Sequence, residues 1–434
     1  MPRAAEWSSP PLPARARLVP YVASTALGST AYIASFAVAS LAAQEISGSA
    51  ELSGLPSAIG TVGTAVAIGL LAAGMTRRGR RPGLLAGYLV AVAGAIASLA
   101  AITLASMPLL LLGSAAIGFG NAAIQLSRYA ASDLVAPARR AAAVGTVVWG
   151  STAGAVLGPN LLQPAGALAE AFGRPALEGG MAVTVVGFVL TLLVALLWIH
   201  PAPAPADEPA AVPARSREAD LLADGDPAWL AAAGTGGRLA SLAPLRVRIA
   251  LVGLVSGQIV MVMIMTMTPV HIHDMGESLS TVGLVISAHT LGMFALSPVS
   301  GRLVGRLGEL PVLLSGFVVL LLAAVLAAVA RETDLPVLTL GLLLLGYGWN
   351  LTFVAGSGLL TTGASLGERI RLQGLTDSIV WVASAGASLS SGLLLGWAGY
   401  PVLAAFGGAF LLLPSVAILL AWRRIPATAP ALSG

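Results

Sequence analysis

Apolar stretches of twenty or more residues recur along the whole of this 434-residue chain. An α-helix needs about 20 such residues to cross the hydrocarbon of a bilayer. Inside lipid no water satisfies backbone N–H and C=O groups, so only helices or a closed barrel can span. The runs are too long for barrel strands and lack their period-two alternation. Spans are expected near 19–42, 55–75, 83–104, 107–130, 141–162, 179–199, 246–270, 279–300, 310–330, 336–363, 374–397 and 400–422. Composition agrees: charged residues make up 10% of the chain and hydrophobic ones 57%, where a soluble domain carries roughly 25% charged. The expected fold is an all-α polytopic membrane protein of twelve transmembrane helices. There is no cysteine, which excludes disulfides, thiol chemistry and thiolate metal sites. The polar, Pro-rich start, Met1 to Arg17, lacks the short apolar core of a cleaved signal peptide.

All 23 basic residues are arginine, and their placement orients the chain. Arg3, Arg15, Arg17, Arg77, Arg78, Arg80, Arg81, Arg128, Arg139 and Arg140 fall on one set of loops. The same side takes five between Arg215 and Arg248, then Arg302, Arg306, Arg369, Arg371, Arg423 and Arg424. Only Arg174 and Arg331 fall opposite. This bias places the Arg-rich side and both termini in the cytoplasm, in the inner membrane of a cell. It also explains the net charge of +4 without nucleic acid as a partner; the lipid bilayer is the expected one. Residues 201–245, opening on Pro201-Ala-Pro-Ala-Pro, read as a flexible linker with a short helix near Ser216–Leu222. The expected organisation is a six-helix unit over 1–200, the linker, and a second six-helix unit over 246–434.

The two units repeat each other at about half the chain length. Gly54-Leu55 falls on Gly283-Leu284, Arg77-Arg-Gly79 on Arg306-Leu-Gly308, and Gly118-Phe-Gly120 on Gly346-Tyr-Gly348. Val148-Trp149 falls on Val380-Trp381. Both run in the same direction, as expected of units related by an axis along the membrane normal. The loop Ala72-Ala-Gly-Met-Thr-Arg-Arg-Gly-Arg-Arg81 resembles the cytoplasmic signature G-x-x-x-D-R-x-G-R-R of the major facilitator superfamily. Arg77, Gly79, Arg80 and Arg81 match it; Ala72 and Thr76 replace the Gly and the Asp. The second copy keeps Gly301, Arg306 and Gly308, again without the acid. Gly154-Ala-Val-Leu-Gly158-Pro159 resembles the superfamily's fifth-span element. The resemblance implies two pseudo-symmetric six-helix bundles working by alternating access, with no enzymatic activity and no resident cofactor. It also implies a cytoplasmic gate at these arginines, where Asp377 could stand in for the missing acid opposite Arg77.

Rare polar residues inside spans point to a path for substrate. Asn121, Gln125, Gln258 and Asn350 qualify, and interhelical hydrogen bonding alone would also account for each. No Asp or Glu lies mid-span, and Ser114 stands near where many proton-linked drug exporters carry an Arg. A carboxylate proton relay is therefore hard to build.

Soft donors cluster instead. Met261, Met263, Met265, Met267, Met275 and Met293 fall in one short window with His271, His273 and His289. Met261 and Met265 share one helical face, as do His289 and Met293 on the next span. If both pairs face a cavity, they descend from about 7 Å to about 21 Å below the outer surface at about 1.5 Å per residue. Thioether and imidazole donors favour copper over Mg²⁺ or Ca²⁺. In the first unit the same positions are Tyr32, Phe36, Gly60 and Thr64, so shared packing demands do not explain the donors. Met261-Val-Met-Ile-Met265 with His289-Thr-Leu-Gly-Met293 resembles the MxxxM and HxxxM pair of the CcoA-like copper importers. That resemblance implies Met261, Met265, His289 and Met293 as ligands for transported copper, His271 and His273 as capture residues at the outer mouth, and copper donor or acceptor proteins as partners. Two alternatives stay open. One is a facilitator or exporter of a small organic solute, riboflavin-like or drug-like, in a cavity lined by Tyr32, Phe36, Trp349 and Asn350. The other is a copper sensor without transport.

Overall fold

A computed structural model describes residues 14–132, 134, 140–199, 245–330, 334–361 and 366–422. Among them there are helices and no strand. The first six spans are built from α1 (Ala14–Ser47), α2 (Leu55–Arg78), α3 (Arg80–Thr103), α4 (Met107–Ser132), α5 (Arg140–Asn160), α6 (Leu162–Ala171) and α7 (Ala176–Trp198). The last six use α8 (Leu245–Asp274), α9 (Leu279–Phe294), α10 (Ser297–Leu307), α11 (Glu309–Val329), α12 (Leu335–Thr361), α13 (Leu366–Phe410) and α14 (Leu412–Trp422). Most of the linker, with its predicted short helix, lies outside the described residues, as do Arg3, Arg139, Arg331, Arg423 and Arg424.

Fourteen described α-helices make twelve spans because the fifth and eighth are each built of two helices, while the last two helices hold the last two spans. The fifth span is α5 plus α6, interrupted beside Pro159. The eighth is α9 plus α10, where Pro298 opens the second piece. Proline supplies no N–H and so leaves a carbonyl of the preceding turn without its helical partner. The eleventh and twelfth spans run together in α13 and turn at Gly399, whose φ of 78° and ψ of 171° leave the helical region. Ten stretches are long and apolar enough to cross a membrane. The last of these, Leu375–Ala421, holds two spans around Gly399, and α5 with α6 adds the remaining one.

The sequence repeat returns as repeated geometry. Gly79 ends α2 with φ 91° and ψ 167°, and Gly308 ends α10 with φ 83° and ψ 167°. Each donates its N–H to the carbonyl four residues back, at 2.9 Å. Positive φ of this kind favours glycine, the residue both copies of the loop keep. Deeper in, α4 lies so close to α2 that a Cβ on Gly118 would meet the Gly60 carbonyl. Likewise α12 lies so close to α9 that a Cβ on Gly346 would meet the His289 carbonyl. Small residues at such crossings are how membrane helices associate when lipid supplies no hydrophobic drive.

The lipid-facing surface is apolar, with Trp397, Leu413, Phe172 and Trp149 among its most exposed side chains. Arg174, which the charge bias leaves on the wrong side, is neutralised within its own helix turn. Its Nε and Nη2 donate to both carboxylate oxygens of Glu178, at 2.7 and 3.0 Å, and Thr103 donates to the same carboxylate.

The glycine contacts make a stability prediction. Gly118→Leu and Gly346→Leu should each destabilise the detergent-solubilised protein by about 1–3 kcal/mol through overpacking. Gly301→Leu, where a Cβ meets nothing within 4 Å, should be close to neutral. Thermal unfolding monitored by size exclusion separates the two classes; equal stability of all three variants would contradict the packing argument.

Candidate substrate site and gates

Contacts between the first and last six spans gather at the Arg-poor end. Gln44 at the end of α1 donates to Asp274 at the end of α8, at 2.7 Å. Asn160 donates to Ser287 at 2.6 Å, and Ser287 in turn donates to the Val156 carbonyl at 3.2 Å. Ser388 donates to the Gly54 carbonyl at 3.1 Å, and Ser53 to the Met267 thioether at 3.3 Å. Gly283 lies against the Pro159 carbonyl and Gly392 against the Glu51 carbonyl, so backbones touch backbones across this seam. The Arg-poor end is shut.

The predicted gate residues at the other end do not form one unit. Arg77, Gly79, Arg80, Gly301, Arg306 and Asp377 are exposed, and Gly308 is half-exposed. Arg77 and Arg306 have no ion-pair partner among the described residues, so the expected Arg77–Asp377 pair is not made. Arg81 serves a different purpose: its Nη2 donates to the Leu196 carbonyl at 2.8 Å. A cation there satisfies a terminal carbonyl of α7 and complements the helix dipole.

Within the first six spans a small, half-open cleft of about 20 Å³ lies between three helices. Helix α1 contributes Tyr32, Ser35, Phe36 and Ala39; α2 contributes Pro56, Ser57 and Gly60; α4 contributes Ser114 and Ile117. None of these is charged. Tyr32 and Phe36, expected from the sequence as cavity residues, form its aromatic wall. Asn121 is buried below, its amide donating to Thr64 at a long 3.4 Å. Gln125 is half-buried and has no hydrogen-bond partner among the described residues.

At the corresponding position of the last six spans stands His289. His289 is fully buried, and its Nδ1 sits 3.0 Å from the Leu342 carbonyl on α12. Met261 is buried in the same core, with Met265 and Met293 packed half-buried against it. Helix α9 leans chiefly on α12 and α5 and meets α8 only over a short stretch. His289 therefore addresses α12 through its Nδ1. Nε2 of His289 is buried without a hydrogen-bond partner. Among the described residues no group of three or more His, Cys, Asp or Glu side chains comes together as a metal site.

The equivalence of the two regions is atomic. Four residues before Gly118 is Ser114, and a Cβ on Gly60 would lie 3.2 Å from its carbonyl. Four residues before Gly346 is Leu342, whose carbonyl receives the His289 ring. The imidazole occupies, in one half, space that a glycine leaves open in the other.

Trp349 belongs to a polar and aromatic junction of four spans. Its indole N–H donates to Gln258 Oε1 at 2.7 Å, and Gln258 Nε2 donates to Ser384 at 2.9 Å. Phe353 stacks on it at 4.9 Å, and Phe294 meets it edge-on at 6.3 Å. Asn350 faces elsewhere: its amide donates to the Met293 carbonyl and to Ser297, and it accepts from Ser300. All three partners flank the break in the eighth span, so Asn350 braces that break and does not line the cleft. Of the two outer histidines, His273 is exposed, whereas His271 stacks on Tyr400 with ring centres 4.1 Å apart. Phe294, Phe353 and Ser384 carry no pattern that would have singled them out.

Comparison with known proteins agrees with this architecture. The sequence model of the Major Facilitator Superfamily matches residues 21–281 and 249–433. YdeG of Bacillus subtilis (strain 168), an uncharacterized MFS-type transporter, is 35% identical over 403 residues, covering 92% of this chain and 89% of its own. The riboflavin transporter RfnT of Brucella anthropi is 27% identical over 416 residues, 94% of each chain. Among solved structures, a bacterial homolog of the human lysosomal transporter Spinster matches with a TM-score of 0.70 at 16% identity, covering 97% of this chain and 100% of that one. The nucleoside transporter NupG matches with a TM-score of 0.71 at 11% identity, covering 94% and 100%. The chain belongs to the major facilitator superfamily: it is a multi-pass membrane transporter and not an enzyme.

Proposed function

We propose that this transporter carries a small, uncharged organic solute with a flat unsaturated portion, by alternating access across the bacterial inner membrane. One observation carries the reading: the small cleft walled by Tyr32 and Phe36, whose described lining carries no charge. Aromatic side chains bind flat rings by offset stacking, and a pocket without charge does not favour an ion. The likeness to a riboflavin transporter over 94% of each chain supports a flavin-like solute. In this reading the six-helix units run over 1–200 and 246–434, the linker joins them in the cytoplasm, and the Arg-rich end faces the cytoplasm.

A second reading, copper import, rests on the buried and unpartnered His289 Nε2, four residues before Met293. Imidazole and thioether together suit copper, and Met261 and Met265 lie in the same core. Delivery to His289 would require α9 to part from α12.

Riboflavin should raise the thermal stability of the purified protein in a saturable way. Tyr32→Ala and Phe36→Ala should each weaken that response by about tenfold, from about 0.5–1.5 kcal/mol of lost stacking plus lost burial. No response of the wild type to riboflavin, with saturable stabilisation by Cu(I), would reverse the order of the two readings. Uptake of radiocopper by cells tests the second directly: on the copper reading His289→Leu and Met265→Leu should abolish it at matched protein levels. Unchanged uptake in both would remove the metal role.

The shut seam predicts a conformational shift as well. Gly283→Leu would force a side chain into the Pro159 carbonyl, so it should favour opening at the Arg-poor end. The chain has no cysteine of its own, so thiol labelling of S287C with and without G283L reads the change. Labelling should be faster in the double variant.

A further inference from the structure

We propose that Ser114 is the residue through which the first-half cleft selects its solute, by donating a hydrogen bond to an uncharged acceptor such as a ring carbonyl or ring nitrogen. This rests on the organic-solute reading above. Three serines line the cleft, and two have their hydrogen-bonding settled within the protein: Ser35 donates to the Tyr32 carbonyl at 2.7 Å, and Ser57 shares a contact with Ser40 at 3.3 Å. Ser114 is only 5% exposed, and its Oγ, closed to solvent in this conformation, has no partner among the described residues. A buried hydroxyl left unsatisfied is costly, and a ligand group that meets it recovers that cost.

Its surroundings define the class of partner. No cation lines the cleft, so a carboxylate or phosphate would be desolvated there without compensation. A neutral carbonyl or ring nitrogen needs only one donor. The aromatic wall at Tyr32 and Phe36 favours an acceptor carried on a flat ring. Gly60 sets the room available, because a side chain there would point at the Ser114 backbone carbonyl as His289 does at Leu342.

Equilibrium binding of riboflavin and of lumichrome, which lacks the ribityl chain, to the purified full-length protein tests the assignment. Ser114→Ala should weaken both by about fivefold, the effect of one hydrogen bond, because the contact is to the ring they share. Wild-type affinity of S114A for both ligands overturns the assignment while leaving the organic-solute reading intact. A loss confined to riboflavin overturns the ring acceptor in favour of a ribityl hydroxyl. If neither ligand binds the wild type, the flavin reading itself fails. Labelling of S114C by N-ethylmaleimide then decides: an unreactive thiol overturns the cleft as a ligand chamber, and a reactive one supports it.

Discussion

Close approach of backbones at glycine is the constraint on which this molecule depends. Lipid is as apolar as the helices, so burial of Leu and Val does not by itself pull them together. What holds neighbouring spans is contact without intervening side chains, as where Gly118 meets the Gly60 carbonyl and Gly346 meets that of His289. The same device closes the seam between halves, at Gly54, Gly283 and Gly392. Fixed contacts within a half and separable contacts between halves are thus made of one material. They differ in extent: the seam joins short helix ends, whereas α2 and α4 or α9 and α12 run along each other.

Duplication then makes the departures from symmetry informative. A shared scaffold places Gly60 and His289 at equivalent points, each directed at the carbonyl four residues before a conserved-by-repeat glycine in the partner span. One half spends this position on a buried imidazole. The other leaves it empty and acquires a cavity beside two aromatic rings. A single substitution between copies is therefore enough to make the halves chemically unlike at this point.

Much of the architecture was readable from hydropathy and spacing. The spans, the repeat, and the turn glycines Gly79 and Gly308 all follow from local pattern. What local pattern leaves open has a common physical origin. Helical periodicity says which residues share a face, but not which helix that face meets. The expectation that His289 and Met293 oppose Met261 and Met265 took consecutive spans as principal neighbours, whereas α9 leans on α12 and α5. Arg81 reads as a gate residue by motif, yet the nearest unsatisfied carbonyl is Leu196 of α7. His271 reads as an outer ligand until the turn at Gly399 brings Tyr400 against it. Ser114 was visible only as an Arg that is missing; its significance is that nothing bonds it.

The broken eighth span has a mechanical consequence. Proline at position 298 uncouples α9, which carries the Gly283 and Ser287 contacts of the closed seam, from α10, which carries Arg302 and Arg306. Asn350 grips both sides of that break from the tenth span. The eighth span is thus two arms held by one anchor: its outer arm rests on α5, its inner arm carries the loop arginines, and Asn350 ties them together.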